Sequence, residues 1–280
     1  MATGGRGKNG RTDMQLDTYK QIRNTYRHVY LSPHLDDAAL SCGGLIAVQC
    51  AAGEATLVIT ICSAPPDDRP YNAVAQEFHG QWKLTSDDIV GQRKEEDRQA
   101  MAILGCDFVW AERLDAIYRC PEAYVSRETL FAPPIDTDPL IADMADLIID
   151  LRQRLPHATF YAPLGVGNHV DHLILFDAVC AYAGVDLAFY EDVHYVMRQG
   201  ALEQRLAALP VPLESQTLVI DSGLDQRIAA IAAYESQVGE LFGGVEAMAR
   251  QIRSYAERLQ PAGGSAGERI WRRTAERSPA

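Results

Sequence analysis

The run Thr56-Leu57-Val58-Ile59-Thr60-Ile61-Cys62 carries no charge, is rich in β-branched residues and does not alternate between two faces. Such a run reads as a central strand buried on both sides, which requires a sheet covered by helices on both faces. The rest of the chain agrees. Further strands are expected at His28–Leu31, Phe108–Trp110, Thr159–Ala162, Leu187–Tyr190 and Thr217–Ile220. Helical segments fall between them: around Leu45–Val48, Arg93–Leu104 with Gly105 as its stop, and Leu173–Tyr182. Two more follow at Leu224–Val238 and Val245–Leu259, before a Gly-rich break at 263–267. The clearest helix begins at Asp136–Asp138 with Pro139 in its first turn and ends at Pro156. Its Leu140, Ile141, Met144, Leu147, Ile148 and Leu151 share a 3.6-residue face.

Strands alternating with helices predict an α/β fold, a Rossmann-like three-layer sandwich with a mostly parallel central sheet. In such sheets ligands bind beyond the carboxyl ends of the strands. Residues 1–15 read as a disordered tail and 16–280 as a single domain. The stretch from Ser63 to Gln92 holds Pro65, Pro66 and Pro70 and reads as a long functional loop. Its Phe78, His79 and Trp82 either stack on a ring of the substrate or pin the loop to the core.

Charge excludes some partners. With 26 Lys+Arg against 38 Asp+Glu, the net charge is −12. Nucleic acid and anionic membrane surfaces both need clustered cations, so neither is expected as a partner. No apolar run is long enough for a transmembrane helix. Met1–Arg11 leads into no apolar segment, so no signal peptide is expected. The six cysteines include no CxxC pair and read as reduced thiols, so a cytoplasmic location is expected.

Two segments place metal-competent groups just after strands. One is Ser32-Pro33-His34-Leu35-Asp36-Asp37; the other is Gly167-Asn168-His169-Val170-Asp171-His172. In a parallel sheet both open onto one crevice. Two histidines and a carboxylate form a three-ligand set of the kind catalytic zinc uses, with one position left open. The same set suits Fe(II). Without a cation, so many buried carboxylates and imidazoles in one place would need other partners.

At these residues the sequence resembles the PIG-L/LmbE-like family of zinc-dependent N-deacetylases, with its His-Pro-Asp-Asp-Glu and His-x-Asp-His motifs. Supporting matches are Arg93-x-x-Glu96, Tyr234-x-Ser236-Gln237 and Glu268-x-x-Trp271, so the resemblance spans roughly residues 28–272. The resemblance implies Zn2+ held by His34, Asp37 and His172. It implies Asp36 as the general base that takes a proton from the attacking water. His169 would face the oxyanion or protonate the leaving amine, with Asp171 holding its ring.

Arg93 either clamps a hydroxyl, phosphate or carboxylate of the substrate or pairs with Glu96 or Asp97 at the helix surface. The implied reaction is removal of an N-acyl, typically N-acetyl, group from an amino sugar or glycosylated small molecule. The alternative is a metal-dependent amidase acting on a non-sugar natural-product intermediate or a thiol conjugate. The sequence departs from the family pattern at Leu35 and Ala38, which replace Pro and Glu, and at Gly167, where thiol-cofactor members carry Tyr. The expected partner is a small N-acylated molecule; homo-oligomerisation stays open.

Overall fold

A computed structural model describes residues 14–66, 70–82, 89–184 and 186–274. In chain order the first half contains β1 (Gln15–Leu16), β2 (His28–Ser32), α1 (Asp37–Ala51), β3 (Thr56–Cys62), α2 (Ala73–Trp82), α3 (Ile89–Leu104) and β4 (Asp107–Arg113). Then come α4 (Ala116–Arg119), α5 (Arg127–Leu130), α6 (Pro139–Arg154), β5 (Thr159–Pro163), α7 (Val170–Tyr182), β6 (Leu187–Tyr190) and α8 (Ala201–Ala207). The chain closes with β7 (Leu213–Val219), α9 (Leu224–Ala232), α10 (Glu235–Phe242), α11 (Val245–Arg258) and β8 (Gly267–Arg273).

All seven residues of β3 are buried. The sheet order is β1-β4-β3-β2-β5-β6-β8-β7, with the β6–β8 and β8–β7 pairings antiparallel and the others parallel. The α/β fold with a mostly parallel sheet is therefore as the sequence implies. β2 is the pivot: His28–Ser32 pairs with Thr56–Thr60 on one side, and His28–Tyr30 pairs with Thr159–Tyr161 on the other. The chain leaves β2 for β3 and leaves β5 for β6 in opposite directions. Right-handed crossovers then send α1 and α7 to opposite faces. Accordingly α1 packs with α3 and α9, and α6 packs with α7. The crevice of this doubly wound sheet lies between the ends of β2 and β5.

α6 shows why the pattern holds. Leu140, Met144, Leu147, Ile148 and Leu151 are buried, each contributing about 2 kcal/mol of transfer free energy. Asp138 caps the helix by accepting from the Leu140 amide at 2.9 Å. Ile141, counted on the same face, is 40 % exposed.

Several boundaries differ from expectation. Residues 1–13 of the expected tail lie outside the described residues, but Gln15 is already in β1, paired with Phe108. The Ser63–Gln92 loop contains α2 and the first turn of α3, while 67–69 and 83–88 lie outside the described residues. Phe78 and Trp82, four residues apart, make a ring contact at 5.7 Å along α2. The helix expected at 224–238 is broken into α9 and α10 at Tyr234. That phenol donates to Asp97 at 2.7 Å, and the Ser236 amide at the new helix start donates to Glu96 at 2.8 Å. The Gly-rich break after 263 leads into β8, a strand the sequence reading did not separate from its Glu-x-x-Trp motif.

Gly43 and Gly44 have a packing role. A Cβ at Gly43 would lie 2.9 Å from Arg227 Cγ, and one at Gly44 would lie 2.8 Å from Glu268 Oε1. The bare backbone lets Glu268 accept from the Gly44 and Leu45 amides, both at 2.8 Å. Arg227, paired with Glu268 at 3.1 Å, donates to the Leu40 carbonyl. None of the six cysteines forms a disulfide. Among the described residues no helix is long and apolar enough to cross a membrane.

Candidate active site

Both motif loops end in helix N-termini at the crevice. After β2 the chain passes His34, Asp36 precedes the first turn of α1, and Asp37 is the first helical residue. After β5 it turns through Gly165, Gly167 and Asn168, all at positive φ, and His169 caps α7. Asp171 and His172 thus stand in the first turn of α7, three residues earlier than the helix start read from sequence.

These turns bring Asp37 against both His34 and His172. Asp37 Oδ2 lies 3.1 Å from His34 Nδ1 and 3.3 Å from His172 Nε2, and it accepts from the His34 amide at 2.8 Å. His169 is close as well: the donor nitrogens of His34, His169 and His172 lie within 4.8 Å of one another. A second set, His34, Cys62 and Asp171, meets the same limit.

The groups behind them fix the ring orientations. His172 Nδ1 faces Asp192 Oδ1 at 2.6 Å, and the other Asp192 oxygen accepts from the Val166 amide at 2.8 Å. His34 Nε2 faces Asp171 Oδ2 at 3.1 Å and Asp115 at 3.5 Å. Asp171 also accepts from the Ala116 amide at 3.1 Å and from Arg119 at 2.6 Å. Arg119 in turn holds Asp138, at 2.6 and 2.8 Å. The Asp171 carboxylate therefore positions His34. What holds His169 is the Asp171 backbone, whose N–H donates to His169 Nδ1 at 3.3 Å. This corrects the expectation that the Asp171 side chain holds the His169 ring: the carboxylate is already saturated by stronger partners.

Burial and charge sort the ionisable groups. Burial opposes the charge on His172, but Asp37 and Asp192 outweigh it and push its pKa up to about 9. Burial likewise opposes His34, and Asp115, Asp171 and Asp37 hold it well above the usual imidazole range. Asp37 resists burial because His172 and His34 keep its carboxyl well below the usual range. Asp36 goes the other way: burial raises it to about 6, with Arg93 partly offsetting. His169 is held neutral by burial and by the neighbouring charge on His34.

Arg93 is neither at the helix surface nor paired with Glu96 or Asp97. Glu96 binds Ser236, and Asp97 binds Trp110 and Tyr234. Arg93 is 8 % exposed, reaches Asp36 at 3.6 Å and lies over the Trp82 ring at 4.7 Å, and its Nε has no hydrogen-bond partner among the described residues. Its surroundings open into a pocket of about 790 Å³ including the mouth, lined by Phe78, Trp82, Phe131, His194, Tyr195 and Gln237 among others. Phe78 and Trp82 thus line the pocket, while His79 pins α2 through Tyr118 at 2.8 Å. Gly167 is explained by Tyr195: a Cβ there would lie 2.5 Å from the Tyr195 ring, besides the cost of φ +93°.

Sequence reasoning missed Arg119, Asp138, Asp115 and Asp192. Asp192 lies two residues past β6, as His34 lies two past β2, so the same strand-end rule would have found it. Arg119 sits between the strand expected at Phe108–Trp110 and the helix expected from Asp136, and it carried no local signal.

Residues 29–183 match the family model described as PIG-L, GlcNAc-PI de-N-acetylase. The 2'-N-acetylparomamine deacetylase of Streptomyces fradiae is 26 % identical over 258 residues, covering 86 % of this chain and 83 % of that protein. A teicoplanin deacetylase solved in a zinc-inhibited form is 27 % identical, with a TM-score of 0.73, covering 89 % of this chain and 99 % of the other. An A40926 pseudoaglycone deacetylase is 26 % identical with a TM-score of 0.71, covering 90 % and 100 %. With strand order, motif placement and these likenesses in agreement, the chain belongs to the PIG-L family.

Proposed function

We propose that this protein is a divalent-metal-dependent hydrolase, zinc being the fitting ion, that removes an N-acetyl group from an amino-sugar unit of a small molecule. The observation that carries the reading is the convergence of His34, Asp37 and His172, with Asp36 beside them. Two donors bound tetrahedrally at zinc distances are about 3.3 Å apart, which the 3.1 and 3.3 Å separations match. In the absence of a cation, protons on two imidazoles balance Asp37, so a divalent ion would replace charge already gathered there. Asp192 behind His172 and Asp171 behind His34 are the outer carboxylates that metal-ligating imidazoles use.

A bound divalent ion polarises the amide carbonyl and makes water acidic enough to attack at neutral pH. The side chains do the rest. Asp36, with its pKa near 6, is ionised at pH 7 yet basic enough to accept a proton from the attacking water. His169 is neutral with Nδ1 accepting from the Asp171 amide, so its proton sits on Nε2. That N–H donates to the developing oxyanion, and the proton taken up by Asp36 passes to the leaving nitrogen as the tetrahedral intermediate collapses. Arg93 offers its unpartnered Nε to a substrate hydroxyl or carboxylate, while Trp82 holds the guanidinium flat.

The amino-sugar assignment is supported by the GlcNAc named in the matched family and by the acetylated paromamine of the Streptomyces fradiae relative. The test is acetate release by metal-loaded protein from a set of N-acetylated glycosides, run beside sugar-free N-acetyl amines. Release from the glycosides is expected; release from the sugar-free amines alone would favour the amidase reading, and none from either would end both. Metal analysis of protein purified without added zinc separates zinc from iron.

A further inference from the structure

Three arginines line the pocket, and two face carboxylates. Arg93 faces Asp36 at 3.6 Å. Arg127 pairs with Glu77 at 2.8 Å and lies 3.8 Å from Glu240. Arg198 is different. Its partners among the described residues are uncharged: it donates to His194 Nε2 at 3.2 Å and lies over the Tyr195 ring at 5.3 Å. Because arginine only donates, His194 Nε2 is the acceptor in that contact and carries no proton there. A neutral imidazole and a ring face therefore hold the guanidinium in place and leave most of its donors open. In a chain of net charge −12, a cation left without a carboxylate at a pocket entrance stands out. The side chain is exposed, so a ligand can reach it.

We propose that Arg198 is a specificity-determining residue that receives an anionic group, carboxylate or phosphate, carried by the N-acylated substrate away from the scissile amide. The inference rests on the deacetylase reading above and adds the charge class of the substrate. His194 and Tyr195 are its positioning residues: the first fixes the guanidinium edge, the second its plane. A cationic substrate is disfavoured at the same place by direct repulsion.

The test uses matched N-acetylglucosamine derivatives bearing a hydroxyl, carboxylate, phosphate or amine at C6, and a carboxylate linked through the C3 oxygen. Acetate release by the metal-loaded full chain is followed at about 20 and about 200 mM salt. An anionic member is expected to exceed the neutral one by roughly tenfold in kcat/KM, carried by KM, and the amine to fall below it. The preference should shrink in the higher salt. Arg198→Gln should reduce it to less than about twofold, Arg198→Lys should restore part of it, and Arg198→Glu should favour the amine. Which of carboxylate and phosphate ranks higher identifies the source of the charge. Equal kcat/KM across the set, or a preference that persists in Arg198→Gln, overturns the inference and leaves the deacetylase reading standing. No acetate from any member removes both.

Discussion

The floor and the rim of the pocket are built from the same residue types and treat them in opposite ways. On the floor both carboxylate oxygens of Asp171 and both of Asp192 are engaged: Asp171 takes His34, Arg119 and an amide, and Asp192 takes His172 and an amide. Arg119 bridges two buried aspartates at 2.6 Å each. On the rim the partners are few. Asp36 has one guanidinium at 3.6 Å, and Arg93 has an open Nε. The pKa values follow: Asp171 lies well below the usual range, while Asp36 is raised to about 6. Two aspartates within one pocket are thus pushed apart, one to carry a fixed charge and one to exchange a proton.

The sharpest way to break this contrast is to disable the rim carboxylate alone. Asp36→Asn should lower kcat by a factor of about 10² to 10⁴ while metal content and the unfolding midpoint stay near wild type. Loss of metal together with activity would place Asp36 on the floor instead. Next in size, Arg119→Met leaves Asp138 and Asp171 buried without their cation. It should cost about 3–5 kcal/mol in urea unfolding, because removing one partner of a buried ion pair strands the other. A loss under about 1 kcal/mol would show that the floor is not held by charge.

Asp192→Asn keeps the shape and removes the charge behind His172. Metal affinity, measured by chelator competition, should weaken by about 10- to 100-fold. An unchanged affinity would make Asp192 a mere prop for the Val166 loop. The smallest effect concerns the wall carrying Phe78 and Trp82. Burial depresses the pKa of His79, so the unfolded chain takes up a proton more readily than the folded one. The stabilising difference is complete above about pH 6.5 and is lost as pH falls through the depressed folded value. The urea midpoint should therefore drop on going from pH 7.5 to acid, and less so in His79→Gln; parallel curves would remove His79 from the account.

What could be read from sequence follows the range of the interactions. The β3 run, the capped start of α6 and the two His/Asp motifs announce themselves within a few residues, because strand burial, capping and turn placement are local. The neighbourhood of β2 and β5 followed from topology alone, and it brought His34 and His172 together. The misses are long-range. Arg119 finds Asp171 across 52 positions, and Tyr234 breaks a regular apolar helix pattern to reach Asp97 across 137. Asp171 was assigned to the wrong imidazole because adjacency to His169 says nothing about which ring its carboxylate meets.

The clamp between Glu268 and the Gly44 and Leu45 amides spans 224 and 223 positions of chain. The helix that presents Asp37 is thus fastened by a strand translated more than two hundred positions after it. A nascent chain can complete the pivot strands and both histidine loops while that fastening is still inside the exit tunnel. Secure capture of a metal ion would in that sense wait for β8, and a premature stop upstream of it would yield a polypeptide carrying both histidine motifs but lacking the bolt that keeps the first of them in register.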